Sequence, residues 1–226
     1  MKRIYLLLLA IVGIGTSHAQ TTVSIDRDSL TVASLYVGWN APIGAPAEMH
    51  NNVLTSMEFM MTYGRRFYFG KDDRYALALQ GGLDWKNVRM PGSECWFAKD
   101  YGNDNVIIAP IDYDVKASFS RIRTFSIVAP VMLEINYEKR RKLVVGPMFS
   151  YVPFATIYAE YSMNDSDVDF SERIGGIHQN KWSVDLMAQY IRKNIGFYVK
   201  YSPVNVLHSD RAPGFTSLTF GVLLTN

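Results

Sequence analysis

Seven stretches of this 226-residue chain alternate apolar and polar side chains with period two, and an eighth, the first, does so less cleanly. Successive side chains of a strand point to opposite faces, so each stretch reads as a strand with one apolar and one polar face. The strands run near Thr31–Asn40, Ser56–Phe69, Tyr75–Lys86, Thr124–Tyr137, Leu143–Glu160, Trp182–Tyr190, Ile195–Tyr201 and Ser217–Leu224. The fifth is less regular and contains Pro147 and Pro153. The connections alternate long, short, long, short, long, short, long.

The apolar face carries almost no charge, whereas the other face carries Glu58, Asp84, Lys86, Glu134, Asp185 and Lys200. A bilayer admits only helices and closed barrels, because backbone polar groups find no water there. Aromatic residues flank the apolar stripes, as they flank membrane strands of about 9–11 residues. Trp39, Trp85, Trp182 and Tyr201 form the girdle on the loop side, and Tyr63, Tyr75, Tyr137 and Tyr190 the girdle on the turn side. The expected fold is all-β: an eight-stranded antiparallel up-and-down transmembrane β-barrel. Its short turns face the periplasm and its longer loops the outside.

The segment 1–19 reads as a cleaved signal peptide: Lys2 and Arg3, an apolar run from Ile4 to Gly15, and Ser17–His18–Ala19 at the cleavage site. A short lead, 20–30, then precedes the barrel, 31–226. Export of such a chain leads to the outer membrane of a Gram-negative bacterium. Without Lys2 and Arg3 the chain has 21 basic and 21 acidic residues. That balance argues against nucleic acid as a partner, since phosphate binding needs clustered positive charge. The single Cys95 excludes an intrachain disulfide.

An eight-stranded barrel is just wide enough for its own side chains. The six charged residues of the polar face are therefore expected to form a lumen network that satisfies itself, with a proton or ion path as the alternative. Arg121 and Arg123, where the second long loop meets the fourth strand, either bind lipopolysaccharide phosphate or are solvated. Asp165, Asp167 and Asp169 imitate the opening of a calcium loop, but Phe170 and Gly176 replace its Gly and Glu, leaving at most a weak rim site. His50, His178 and His208 fall in or beside external loops, where they would serve a metal site or, with Ser209 and Asp210, a hydrolase. No nucleophile-elbow or zincin motif accompanies them, so no catalytic, cofactor or metal residue is assigned. Cys95 is a free loop thiol, and Trp96 and Phe97 beside it anchor the loop over the barrel mouth or contact a partner.

The chain resembles the PorT-like outer-membrane β-barrel proteins of Bacteroidetes-type bacteria over about Val32 to Leu224. The resemblance lies in Arg74–Asp84 after a Gly-Lys-Asp turn, in Ile127–Glu134 with its central Pro130, and in Tyr201–Leu207. It implies an eight-stranded outer-membrane barrel and transfers no functional residue. The expected function is that of a small non-enzymatic barrel whose external loops, 41–53, 91–116, 161–180 and 202–213, serve binding, envelope integrity or assembly with a secretion or transport partner. The other expected partners are outer-membrane lipid and lipopolysaccharide. The alternatives are an outer-membrane acyl hydrolase or acyltransferase and a soluble lipocalin-like carrier.

Overall fold

The computed structural model describes residues 30–46, 53–70, 73–91, 95–100, 102–110, 115–138, 141–163, 169–208 and 212–226. Eight strands form the barrel: β1 (Thr31–Ile43), β2 (Met57–Phe69), β3 (Tyr75–Pro91), β6 (Val115–Glu138), β7 (Arg141–Met163), β9 (Trp182–Arg192), β10 (Ile195–Ser202) and β11 (Thr216–Thr225). Three further strands, β4 (Cys95–Asp100), β5 (Asn105–Pro110) and β8 (Asp169–Ile174), lie within the predicted loops. Each barrel strand pairs antiparallel with its chain neighbours, and the ring closes between β1 and β11 from Ser34↔Thr225 to Ile43↔Thr216. The signal segment lies outside the described residues, as does the lead apart from Leu30.

The alternation turns the large apolar side chains of the wall outward and its charged ones inward, the reverse of the arrangement expected of a soluble carrier. Along β2, Met57, Phe59, Met61 and Tyr63 are exposed on the outer wall, while Glu58, Met60 and Thr62 are buried. β9, β10 and β11 repeat the pattern. On the outer wall of β2, Arg65 interrupts the apolar belt toward the short-turn end, where a long stem lets a guanidinium reach the headgroup region.

The long connections contain β structure where the sequence predicts loop. Within 91–116, β3 runs to Pro91, β6 starts at Val115, and β4 and β5 pair as a separate hairpin between them. The polar 161–180 connection contains β8, which pairs with the end of β7. β6 and β7 are 24 and 23 residues long, well beyond the span a bilayer needs, because they continue past the apolar belt into this external layer. β1 likewise runs to Ile43, and Val53–Thr55 form a 3-10 turn.

The irregular fifth strand has a physical cause. Between the pairs Phe125↔Phe154 and Ile127↔Tyr151, three residue steps of β7 oppose two of β6. This bulge shifts the inward phase from Met148 and Ser150 to Ala155 and Ile157, so period two is lost across Val152–Pro153.

Gly38 and Gly221 stand opposite each other in the β1–β11 seam, and the Tyr198 ring covers both from inside. A Cβ at Gly38 would collide with the Tyr198 hydroxyl, and one at Gly221 with the Val37 carbonyl. Gly221→Val should therefore displace the ring and cost about 1–3 kcal/mol, with Gly221→Ala costing less. Urea titration of the folded, fast-migrating form on unheated SDS gels measures both.

Candidate functional site: a filled lumen and an ordered external face

Period two brings six charges and their hydrogen-bonding neighbours into the barrel in layers. Nearest the long-connection end, the Lys200 ammonium from β10 lies 2.7 Å from Glu58 Oε2 of β2 and 2.8 Å from Asp84 Oδ2 of β3. Glu58 also accepts from the Tyr198 hydroxyl at 3.2 Å and the Thr219 hydroxyl at 3.1 Å. Lys86 lies 3.9 Å from Glu58 and donates to the Ser217 and Ser202 hydroxyls at 3.1 and 3.3 Å. Asp185 of β9 accepts from Ser150 at 3.3 Å and Ser183 at 3.5 Å. Asp84 Oδ1 has no protein donor, and Asp84 borders a cavity of about 40 Å³ that Asp185 and four serines also line. Such a space accommodates a small number of water molecules.

Below lies an apolar layer that includes Val32, Met60, Met132, Met148, Met187 and Leu223, with Tyr36 and Tyr198 packed edge to face at 5.2 Å. Flexible, unbranched Met side chains fill the irregular space between rings of unequal residues. At the short-turn end is a second charge cluster. Arg66 Nε donates to both oxygens of Glu134, at 2.9 and 3.1 Å, and its other nitrogens donate to the Thr31 and Asn226 carbonyls. Lys142 lies 4.0 Å from Glu134.

The six sequence-derived lumen residues thus divide between two ends: Glu58, Asp84, Lys86, Asp185 and Lys200 at one, Glu134 at the other. Arg66 lies in the predicted Ser56–Phe69 strand without an assigned role, and Lys142 falls just before the predicted Leu143–Glu160 strand. The signal for Arg66 was its parity, which it shares with Glu58, Met60 and Thr62. Lys142 shares the inward parity of Val144 and Met148 in the same way.

Above the cavity the mouth is covered. Val88, Met90, Phe97, Val106, Ile122, Ile157, Ile174, Ile177, Leu207 and Phe215 form a second apolar cluster beneath the β4–β5 hairpin. Phe97 is buried in it, and its backbone N–H donates to the Ser120 hydroxyl at 3.0 Å, so Phe97 anchors the hairpin; Trp96 and Cys95 are half-buried beside it. Asn180 ties two connections together by donating to the Asn205 and Leu207 carbonyls at 2.7 and 3.2 Å.

On the outside, Asp104 in the hairpin turn accepts from Lys99 at 2.6 Å and lies 2.7 Å from His178 Nε2, while Lys99 also donates to the Gly176 carbonyl. The histidine therefore clamps the hairpin to the segment before β9. His208 is exposed nearby and donates its N–H to the His178 carbonyl at 2.9 Å. His50, Asp165, Asp167, Ser209 and Asp210 lie outside the described residues, as does the side chain of Asp169. Among the described residues, no three His, Cys, Asp or Glu side chains converge in a way that could hold a metal ion.

The aromatic residues read as girdles all lie on the outer wall. Tyr63, Trp85, Tyr137, Trp182, Tyr190 and Tyr201 are exposed; Trp39 packs against Phe220 at 6.2 Å and Tyr75 stacks on Phe69 at 5.8 Å. Arg121 and Arg123 are on this wall too, at the long-connection end.

No family model matches the chain, and no curated protein does. Among solved structures it is similar to the crystal structure of Ail, the attachment invasion locus protein of Yersinia pestis. The identity is 11% and the TM-score 0.40, over 87% of this chain and 97% of that one. A second crystal structure of Ail, in complex with the heparin analogue sucrose octasulfate, gives the same values. The fold assignment rests on the strand pairing above, since likeness at that level adds nothing to it.

Lys200→Met would leave Glu58 and Asp84 buried without their shared cation and should cost about 3–5 kcal/mol, much of which Glu58→Gln in the same chain should restore. Urea unfolding of the folded form in detergent measures the pair. At the exposed clamp, the Lys99 ammonium and then His178 hold the Asp104 carboxyl below its ordinary value of 3.8. A depressed carboxylate stabilises above its unfolded pKa and ceases to as pH falls through the folded one. Hydrogen exchange in the β4–β5 hairpin should therefore rise below about pH 4, and Asp104→Asn should raise it at neutral pH without lowering barrel stability.

Proposed function

We propose that this protein is a small non-enzymatic barrel of the Gram-negative outer membrane, PorT-like in kind, exported by a cleaved signal peptide. It acts as a rigid scaffold whose external layer binds a protein of the envelope, such as a component of a secretion or transport assembly. The single observation that carries this reading is the arrangement of one closed ring: apolar outside, filled inside and covered at one mouth by folded β structure. An apolar outer wall suits lipid and would be costly in water. A lumen filled by ion pairs, Met side chains and an apolar cap suits a support better than a pore. The ordered β4–β5 hairpin and the β6–β7–β8 extension offer a partner a surface already in shape, which lowers the ordering cost of binding.

The barrel should resist urea washing of membranes, shift in mobility on heating in SDS and show negligible conductance in planar bilayers. Replacing residues 95–110 with a short Gly-Ser linker should leave the heat-modifiable barrel intact and remove protein partners recovered by mild cross-linking. A stable large channel, or partners retained without the hairpin, would overturn the proposal.

A further inference from the structure

The charges at the long-connection end of the lumen do not balance. Glu58, Asp84 and Asp185 are three acids, and Lys86 and Lys200 are two ammonium groups; all five are buried. Lys200 is shared between Glu58 and Asp84, and Lys86 approaches Glu58. Asp185 is in no ion pair among the described residues; its oxygens accept from the Ser150 and Ser183 hydroxyls. The cations of the short-turn end are too far away to serve it. Arg66 follows Glu58 by eight residues of β2, about 20 Å along the barrel axis, with the Met-rich layer in between. A buried carboxylate without a counter-charge is costly.

The surplus acid sits beside empty space. Asp84 and Asp185 both border the cavity of about 40 Å³, together with the hydroxyl residues Thr124, Ser126, Ser150 and Ser183. The register explains that lining. Asp84 of β3 faces Ser126 of β6, and Ser150 of β7 faces Ser183 of β9, so hydroxyls occupy the inner wall from one acid round to the other. Asp84 Oδ2 is taken by Lys200, whereas its buried Oδ1 has no partner. Lys86 also borders the cavity, but its ammonium donates to Ser202 and Ser217 on β10 and β11, away from the β6–β7 arc. A serine hydroxyl that donates to Asp185 keeps its oxygen lone pairs for a cation.

From this arrangement we infer that the cavity is a binding site for one alkali-metal cation, sodium or potassium. The carboxylates of Asp84 and Asp185 and the hydroxyls between them hold it. Oxygen donors throughout select a hard ion. Two acids with a surplus of one negative charge match a single positive charge; a divalent ion would reverse the imbalance. The volume suits one ion with a water molecule or two. Such an ion completes the charge balance of a closed lumen and needs no path through it.

The test uses the full barrel, folded in detergent in each salt so that the ion is present before the lumen closes. Urea midpoints are compared in sodium, potassium and N-methylglucamine chlorides at equal ionic strength. Sodium or potassium at about 0.1 M should raise the midpoint by about 0.5 M urea or more over N-methylglucamine, as a ligand of the folded state alone must. Asp185→Asn removes the surplus charge at constant shape. That variant should lose the dependence on the cation and be at least as stable as the wild type in N-methylglucamine. If Asp185→Asn does not fold, Ser150→Ala should at least halve the shift. Equal midpoints in the three salts, or a shift that Asp185→Asn retains, overturns the site. Midpoints indifferent to the salt but raised by acid would assign the balancing charge to a proton and overturn it as well.

Discussion

Closure of the ring between β1 and β11 is the constraint on which the rest of the molecule depends. Once Ser34 to Ile43 pair with Thr225 to Thr216, every barrel strand is paired on both sides along part of its length, so the wall's backbone groups bond largely to one another. Closure also gives each strand an unambiguous inside and outside. A one-residue slip at the seam would turn Tyr36 and Asn40 outward and Leu35 and Trp39 inward. The glycine pair at the seam, Gly38 and Gly221, admits the Tyr198 ring and so links the seam to the carboxylate it serves, Glu58.

An interior this narrow forces its charges together. Lys200 is wholly buried and contacts two carboxylates from neighbouring strands, β2 and β3, so the bridges cross from one side of the barrel to the other. A buried pair of this kind is weak evidence for net stability, because desolvation offsets much of the attraction. Its two contacts tie β10 to β2 and β3, strands with which it does not pair, across the lumen. Arg66 and Glu134 perform the same service at the opposite end, across β2 and β6. The two clusters hold the ring's ends, and the Met-rich layer between them fills whatever space remains.

Strand number, order and facing were legible in the sequence because period two is imposed by covalent geometry and by the contrast between lipid and lumen. The same parity places Glu58, Asp84, Lys86, Glu134, Asp185 and Lys200 on one face. It says nothing about height along the axis, which is why the split of Glu134 from the other five appears only in the structure. Lys142 lay hidden in a charged run beside a turn, where composition suggests solvent. The β7 bulge hid the pattern by shifting its phase. The external strands were illegible for a different reason: β4, β5 and β8 are six residues each, and none alternates apolar and polar side chains cleanly. Phe97 and Val106 make sense as core only once Ile122, Ile157, Leu207 and Phe215 from distant segments cover them.

The apolar cap changes what the long connections are. β6 and β7 continue as one pair from the belt into the external layer, with register shifts at Phe125/Ile127 and Ala117/Phe119, so the layer is joined to the wall by paired strands. Loops hung on a barrel would each adjust separately to a partner. Strands continuous with it cannot, and the Lys99–Asp104–His178 clamp and the Asn180 bridges remove further freedom. The external layer is therefore held at a fixed height above the apolar belt.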